Sequence, residues 1–387
     1  MKIAFFSFSD KLGGANKASY EIFKSLKKKE FEFFTIRKYQ NDTIKINNKF
    51  NDIYLNFLRI IEKIIIFFIK KEFHQSLNLI HSFNGRYFLN KKFDIINFHW
   101  INRCSLSLKE IYCIKNKKVF SMHDLWFLNG SMHYGKDKYT CNIEKNLKYL
   151  KKKIVNQNNS FFIAHNNWAQ NKFLEIYPEA KNKVFKCNYY PIDLNKFKVR
   201  SKKELRKKYK ISDEKILIMF SCTNVFEKRK GFGYFKNVVR SFHNNDKFNF
   251  IIVGRGASKD KEINKLKNCF IFEEVDHDNL KEFYSMSDIY VCTSTTDNLP
   301  LSVLEAMSSG NVVISFNNGG VVEVLNKDNG YIVNNKDENA VIDLLEKLKL
   351  EDIRYKSENA RIFAEKNFNQ EIISSQYREI FDKIFVL

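Results

Sequence analysis

The opening of the chain limits its fold more than any other stretch. Ile3–Phe8 is a short apolar run closed by Ser9-Asp10. Gly13-Gly14 come next, and then Ala15, Ala18, Ile22 and Leu26 recur at helical spacing. Lys27–Lys29 gather at the far end, where cations suit the negative helix terminus. A strand, a glycine loop and a helix in that order begin an α/β unit on a parallel sheet. Phe31–Ile36, Asp94–Phe98, Lys118–Met122 and Phe161–Ala164 read as further buried strands. The last three end at His99-Trp100, His123-Asp124 and His165-Asn166, and open α/β sheets keep their sites just past carboxyl strand ends. Residues 41–56 are polar and weakly periodic and are expected to be loop or short elements.

Near Pro191-Ile192-Asp193 the pattern restarts. Ser201–Lys210 reads as a charged helix, and Ile216–Phe220, Phe248–Val253, Cys269–Phe272, Asp288–Cys292, Val312–Phe316 and Tyr331–Val333 as strands. A chain of 387 residues exceeds one ordinary core, so two domains of roughly 180 residues are expected. The division is placed at 1–195 and 196–367. An amphipathic last helix over Gln370–Phe385 carries Ile373, Tyr377, Ile380, Phe381 and Ile384 on one side.

The formal net charge of +22 favours anionic partners. Lysine is spread along the whole sequence and no basic aromatic motif or reading helix stands out, so nucleic acid is not expected as a partner. Seven scattered cysteines form no CxxC pair, which suits a reducing compartment and argues against disulfides or structural zinc. The amino terminus reads as a first strand rather than a signal peptide. The run Ile64–Ile69 is far below the ~20 residues of a membrane crossing. A cytoplasmic protein, free or peripheral on a membrane, is expected. The apolar segment 57–73, flanked by Arg59, Lys63, Lys70 and Lys71, fits a core helix or a helix partly inserted into an anionic membrane surface.

Residues 294–313, STTDNLPLSVLEAMSSGNVV, carry the most chemistry. Pro300 pre-sets the first turn of a helix whose amides face the strand ends, an arrangement suited to a diphosphate. Glu305 lies inside that helix and Asp297 before it. A charged Glu at that depth needs donors, and sugar or ribose hydroxyls supply them. The same positions also fit a surface acid and a turn former. Gly13-Gly14 allow close backbone approach, although the run is not GxGxxG. Arg229-Lys230-Gly231 places two cations at a strand-to-helix junction, as a diphosphate grip or as a solvated face. Asp276-His277-Asp278 reads as structural, with Asp278 capping a helix from Asn279. No metal set and no nucleophile elbow stand out.

Together these segments resemble the large retaining family 4 of glycosyltransferases, with the GT-B fold. The likeness is strongest to the branch that builds colanic acid and related surface polysaccharides. The carrying motifs are GGANKA (13–18), DIINFHWIN (94–102), SMHDLWFLNGSMHY (121–134), YPID (190–193), RKGFGYF (229–235) and DNLPLSVLEAMSSG (297–310). The resemblance implies an α/β architecture of two Rossmann-like domains facing across a cleft, with residues 368–387 returning to the first. It implies a UDP- or GDP-sugar donor, a saccharide or lipid-linked saccharide acceptor at the inner face of the cytoplasmic membrane, and no metal or other cofactor. Glu305 would hold the ribose, Asp297 the donor sugar, and Lys230 with Arg229 the diphosphate. Asn298, Leu299, Pro300 and Leu301 would line the donor site, and Gly13 and Gly14 would approach the phosphates. His123 would lie near the reacting carbon, oriented by Asp124.

Three departures stand out. Asp297 replaces the usual Glu, no Arg occupies Thr223, Asn224 or Val225, and of a cysteine cluster common in the branch only Cys141 remains, near Met132. The rival readings are a sugar-nucleotide epimerase or a phosphorylase on the same fold, or a basic nucleic-acid-binding protein.

Overall fold

The computed structural model describes residues 1–26, 29–69, 74–89, 92–135 and 141–387. Lys27, Lys28, Lys70 and Lys71, read above as helix-end cations, lie outside them. The chain divides into two units, Met1–Pro191 with Gln370–Leu387, and Ile192–Asn369.

The first unit runs β1 (Ile3–Ser9), α1 (Gly14–Leu26), β2 (Phe31–Arg37), β3 (Ile44–Lys45), α2 (Lys49–Ile69), α3 (Gly85–Leu89), β4 (Ile95–Phe98), α4 (Leu108–Cys113), β5 (Lys117–Met122), α5 (Asn142–Asn156), β6 (Ser160–Ala164), α6 (Asn167–Ile176) and β7 (Val184–Lys186). Its seven strands pair in the order β3-β2-β1-β4-β5-β6-β7, all parallel. β1 is buried along its whole length because both faces are covered. Phe5 meets Phe23 of α1 on one face, while Phe6 and Phe8 join Leu55 and Leu58 of α2 on the other.

The second unit runs α7 (Lys202–Lys208), β8 (Ile216–Asn224), α8 (Phe232–Ser241), β9 (Phe248–Arg255), β10 (Cys269–Phe272), α9 (His277–Met286), β11 (Ile289–Cys292), α10 (Leu301–Ser308), β12 (Val312–Phe316), β13 (Gly330–Val333), α11 (Glu338–Lys347) and α12 (Leu350–Asn367). Its parallel sheet is ordered β10-β9-β8-β11-β12-β13. The last helix, α13 (Gln370–Val386), belongs to the first unit. There Phe381 packs on Phe5, and Arg378 Nη2 donates to the Leu26 carbonyl at 2.6 Å.

Two local expectations are corrected. The stretch 41–56 holds β3 and the first turns of α2, which begins at Lys49. Its periodicity is weak because α2 is apolar on two sides: Leu55 and Leu58 point into the core, and Phe50, Ile53 and Phe57 point out. The helix expected from Asn279 begins at His277 and is capped by the Asp276 side chain, while Asp278 lies in its first turn and pairs with Lys196 at 2.6 Å. The His277 side chain lies outside the described residues.

Candidate functional site

In the second unit, the loop between β11 and α10 is clamped by two other segments. Thr295 N donates to the Arg229 carbonyl at 2.8 Å, and Thr293 Oγ1 donates to the Gly231 carbonyl at 2.8 Å. From the other side Gly320 N donates to the Asn298 carbonyl at 2.6 Å. Gly231 and Gly319 have φ of +72° and +56°. A Cβ on them would lie 1.8 Å from the Thr293 carbonyl oxygen and 1.7 Å from that of Asp297. Only glycine fits either position. The sequence signal for the second clamp was Asn318-Gly319-Gly320, a pair of glycines just past β12.

The clamp presents Asp297 to two cations. Asp297 Oδ2 accepts from Lys230 Nζ at 2.6 Å and from Arg229 Nη1 at 2.8 Å, while Oδ1 accepts from Asn298 N at 3.0 Å. Arg229 is shared with Glu227, whose Oε1 lies 2.6 Å from Nε. Burial alone would raise the Asp297 carboxyl, but the Lys230 and Arg229 charges and their hydrogen bonds hold it well below the usual carboxylate range. Asn298, Leu299 and Pro300 are buried and Leu301 is half-buried. Pro300 stands one position earlier than expected, as the cap residue of α10, and its side chain makes no capping hydrogen bond.

Glu305, inside α10, is 5% exposed. Its carboxylate takes the Tyr284 hydroxyl, which itself meets Ser221 Oγ at 3.2 Å. Burial first, and the Glu305 charge second, push the Tyr284 phenol well above its ordinary range, so it stays protonated and donates. The depth expected of Glu305 is present, with one of its donors supplied by the protein.

In the first unit, buried imidazoles line up at the ends of three neighbouring strands. Asn97 Nδ2 donates to His99 Nε2 at 3.0 Å, because Asn97 Oδ1 accepts the Ser121 hydroxyl at 3.0 Å. His99 therefore carries its proton on Nδ1 and donates to His123 Nε2 at 2.9 Å. His123 then donates from Nδ1 to the Tyr190 hydroxyl at 3.2 Å. The His165 ring lies 4.2 Å from the Tyr190 ring, and Tyr377 of α13 meets His165 Nε2 at 3.4 Å. Burial pushes His99 and His123 well below the ordinary imidazole value and His165 down to about 3, so all three are neutral near pH 7.

Both ring nitrogens of His123 are thus taken up inside the unit. The pocket beside it, lined by His99, Trp100, Ser121, Asp124 and Trp126, holds about 20 Å³, room for roughly one water and far too little for a hexose. Asp124 does not orient His123. Its Oδ2 bonds His133 Nδ1 at 2.6 Å and its Oδ1 accepts from Trp126 N at 2.9 Å, while His133 Nε2 meets Ser76 Oγ at 2.9 Å. The HDxWxxxGxxHY motif therefore closes its own loop. Asn97, Tyr190 and Tyr377 were not singled out as site residues; Tyr190 stood in the YPID motif, but its contact with His123 needs the fold.

Gly13 has φ of +83°, and a Cβ at Gly13 or Gly14 would meet nothing within 4 Å, so the amino end of α1 is sterically open. The loop before it is fixed by Asn16, whose Oδ1 accepts from Ser7 Oγ at 2.7 Å and Ser9 N at 3.1 Å. Among the described residues no group of three His, Cys, Asp or Glu side chains is placed to hold a metal ion.

Comparison with known proteins places this geometry in context. Residues 201–367, nearly all of the second unit, match the family model "Glycosyl transferases group 1". The chain is 32% identical over 211 residues to an N-acetyl-alpha-D-glucosaminyl L-malate synthase of Bacillus anthracis, a match covering 52% of this chain and 54% of that one, about half of its length. It is 26% identical to the O-antigen biosynthesis glycosyltransferase WclY of Escherichia coli, over 76% of this chain and 80% of that one. Among solved structures it superposes on Anabaena HepE in complex with UDP-glucose, with TM-score 0.71 and 14% identity over 99% of this chain and 100% of that one. The fold is GT-B.

Proposed function

We propose, on a second unit that matches the glycosyl transferases group 1 model over nearly all of its length, that the chain moves a hexose or hexose derivative from a nucleoside-diphosphate sugar to a saccharide hydroxyl. The product belongs to a surface polysaccharide, and the anomeric configuration is retained. The observation that carries this reading is the buried Asp297 held between Lys230 and Arg229 just ahead of α10, with Glu305 farther along the same helix. A relative named for O-antigen biosynthesis and a fold neighbour holding UDP-glucose support the product and donor classes.

In this reading Glu305 accepts the ribose hydroxyls alongside the Tyr284 donor. Lys230, Arg229 and the amino end of α10 take the diphosphate, and the cations share their charge between it and Asp297. Asp297, ionised and pinned, is suited to accept hydroxyls of the donor sugar and poorly suited to act as a base. The C1–O bond to the diphosphate breaks, the acceptor oxygen bonds C1 from the same face, and a leaving phosphate oxygen takes the acceptor proton. Lys230 and Arg229 supply the neutralising charge, so the reading contains no metal and no other cofactor. Gly13-Gly14 give the first unit an open run of amides suited to phosphate. His123 acts through Tyr190 as a positioning residue.

The acceptor is lipid-linked in this reading, and α2 docks the enzyme on the inner face of the cytoplasmic membrane. Phe50, Ile53, Phe57, Ile60, Ile64, Phe67 and Phe68 form one exposed stripe, with Phe50 83% and Phe68 75% exposed. No helix among the described residues is long and apolar enough to cross a membrane. The helix cannot turn to bury the stripe, because Glu62 on its inner side accepts from Leu77 N at 2.5 Å and Asn78 N at 3.2 Å. Lys49 and Lys63 flank the stripe, which suits anionic lipid.

A panel of UDP- and GDP-sugars tests the reading. Consumption of one donor with release of nucleoside diphosphate, and an α-linked product from an α-donor by NMR, is the expected result. Interconversion of the sugar nucleotide without release would favour the epimerase instead, and no binding or consumption of any donor overturns the proposal.

A further inference from the structure

Three arginines converge at the carboxyl edge of the first sheet. Arg37 ends β2, Arg59 lies within α2 and Arg103 follows β4. Arg37 Nη2 and Arg59 Nη1 share one acceptor, Asn56 Oδ1, at 3.4 and 2.8 Å. Arg59 Nε donates to the Arg103 carbonyl at 3.1 Å. The Arg59 and Arg103 guanidiniums lie 5.2 and 5.4 Å from the centre of the same Phe8 ring, and Arg103 lies 5.6 Å from that of Trp100.

Such a cluster normally gathers carboxylates, yet among the described residues none of the three arginines makes an ion pair. Asp52, whose charge bears on Arg59, is bonded to Lys45 at 2.7 Å and to Asn47. Arg59 Nη2 is buried without a hydrogen-bond partner. Burial, and then the charge of Arg37, lower both Arg59 and Arg103. The backbone is also held in an unusual form here. Arg103 and the following Cys104 both have φ of +57°, a left-handed conformation that non-glycine residues adopt rarely and that clusters at functional sites. Repelling cations and local strain meet here, with Arg103 exposed, Arg37 and Arg59 half-buried, and the orphaned Nη2 donor beneath them.

We propose that Arg37, Arg59 and Arg103 form a phosphate-binding site that takes the diphosphate of a lipid-linked acceptor. The inference rests on the reading above that the acceptor carries a lipid. Guanidinium forks match phosphate oxygens in pairs, and an anion relieves the mutual repulsion of the three. The lipid source is favoured because Arg59 belongs to α2, whose outer stripe is the apolar surface beside it. A phosphate on a lipid tail would be met by the arginines while the tail stays with the membrane.

The test is flotation of the full chain with phosphatidylcholine vesicles carrying either dodecyl diphosphate or phosphatidylglycerol at matched surface charge. The wild type is expected to bind the diphosphate vesicles about tenfold more tightly. Arg37→Gln with Arg103→Gln should lose that preference at an unchanged melting temperature. Should that pair unfold, Arg37→Lys with Arg103→Lys keeps the charge without the forks and is expected to lose about threefold or more. Equal binding to both vesicles, or a preference that survives in the variants, overturns the site. Donor binding is measured on the same wild-type preparation. Its absence would fail the transferase reading, whereas donor binding without a diphosphate preference would fail this inference alone.

Discussion

In the second unit a buried carboxylate is held by charge, and in the first, buried imidazoles are held without any. Asp297 stays ionised because Lys230 and Arg229 are bonded to it. His99, His123 and His165 stay neutral because burial disfavours their charged form, and His99 donates to His123 and His123 to the Tyr190 hydroxyl. The difference matches two tasks. In the proposed reading the charged site meets a doubly charged diphosphate, which needs cations already in place, and their cost in isolation is offset by a resident anion. A site that only has to fix the direction of a hydroxyl needs dipoles, and a neutral relay supplies a defined tautomer without a charge to desolvate.

The comparison breaks most visibly at Lys230. Replacing Lys230 with Ala removes one of two cations from the charged site, and initial sugar-transfer rates should fall about 10³-fold, on the scale of losing one group that stabilises transition-state charge. Circular dichroism should remain that of the folded chain. A loss under about tenfold would show that Arg229 and α10 suffice.

Acid sharpens the contrast. Unfolded, the three imidazoles titrate near 6.5; folded, His165 titrates at about 3 and the other two well below 6.5. As pH falls through 6.5 the unfolded chain takes up protons that the folded chain refuses, so stability is lost. The first unit should lose on the order of 3 kcal/mol between pH 7.5 and 5.5. Asp297 has the opposite sign of dependence. Its contribution is present above the ordinary value of 3.8 and disappears only below it, so the second unit keeps it at pH 5.5. Hydrogen exchange at the two pH values reads this directly, with protection falling in β4, β5 and β6 and holding in β8, β11 and β12.

The smallest expected effect is at the surface of the first unit. Phe57→Ser with Phe67→Ser should weaken binding to anionic vesicles about tenfold, with Lys63→Gln adding a smaller salt-dependent loss. The same assay should not respond to substitutions in the second unit.

Much of this architecture was legible in the sequence. Parallel strands covered on both faces read as apolar runs, and β1, β5, β6 and β12 lay where such runs stood. The start of α2 was not legible, because apolar residues on two faces blur the period that marks an amphipathic helix. Asp297, Glu305 and Lys230 could be picked out one by one from residue type and position. Their pairing could not, since Lys230 and Asp297 are joined only when β8 lies beside β11. Adjacency in sequence misled at His123-Asp124. Both residues lie in the bend just past β5, where Asp124 bonds to His133 and its motif becomes a loop closure, while His123 meets His99 and Tyr190. The relay from Asn97 to Tyr190 depends on β4, β5 and β6 being neighbours and left no local pattern.

The central claim is that α10 and the cations ahead of it grip a nucleoside diphosphate that Glu305 recognises. Calorimetric titration of UDP and GDP into the wild type and into Glu305→Ala tests it most directly. One nucleotide should bind the wild type, and the variant should lose about tenfold to a hundredfold in affinity while keeping its fold. Equal affinity in the two proteins, or no binding by the wild type, would contradict it.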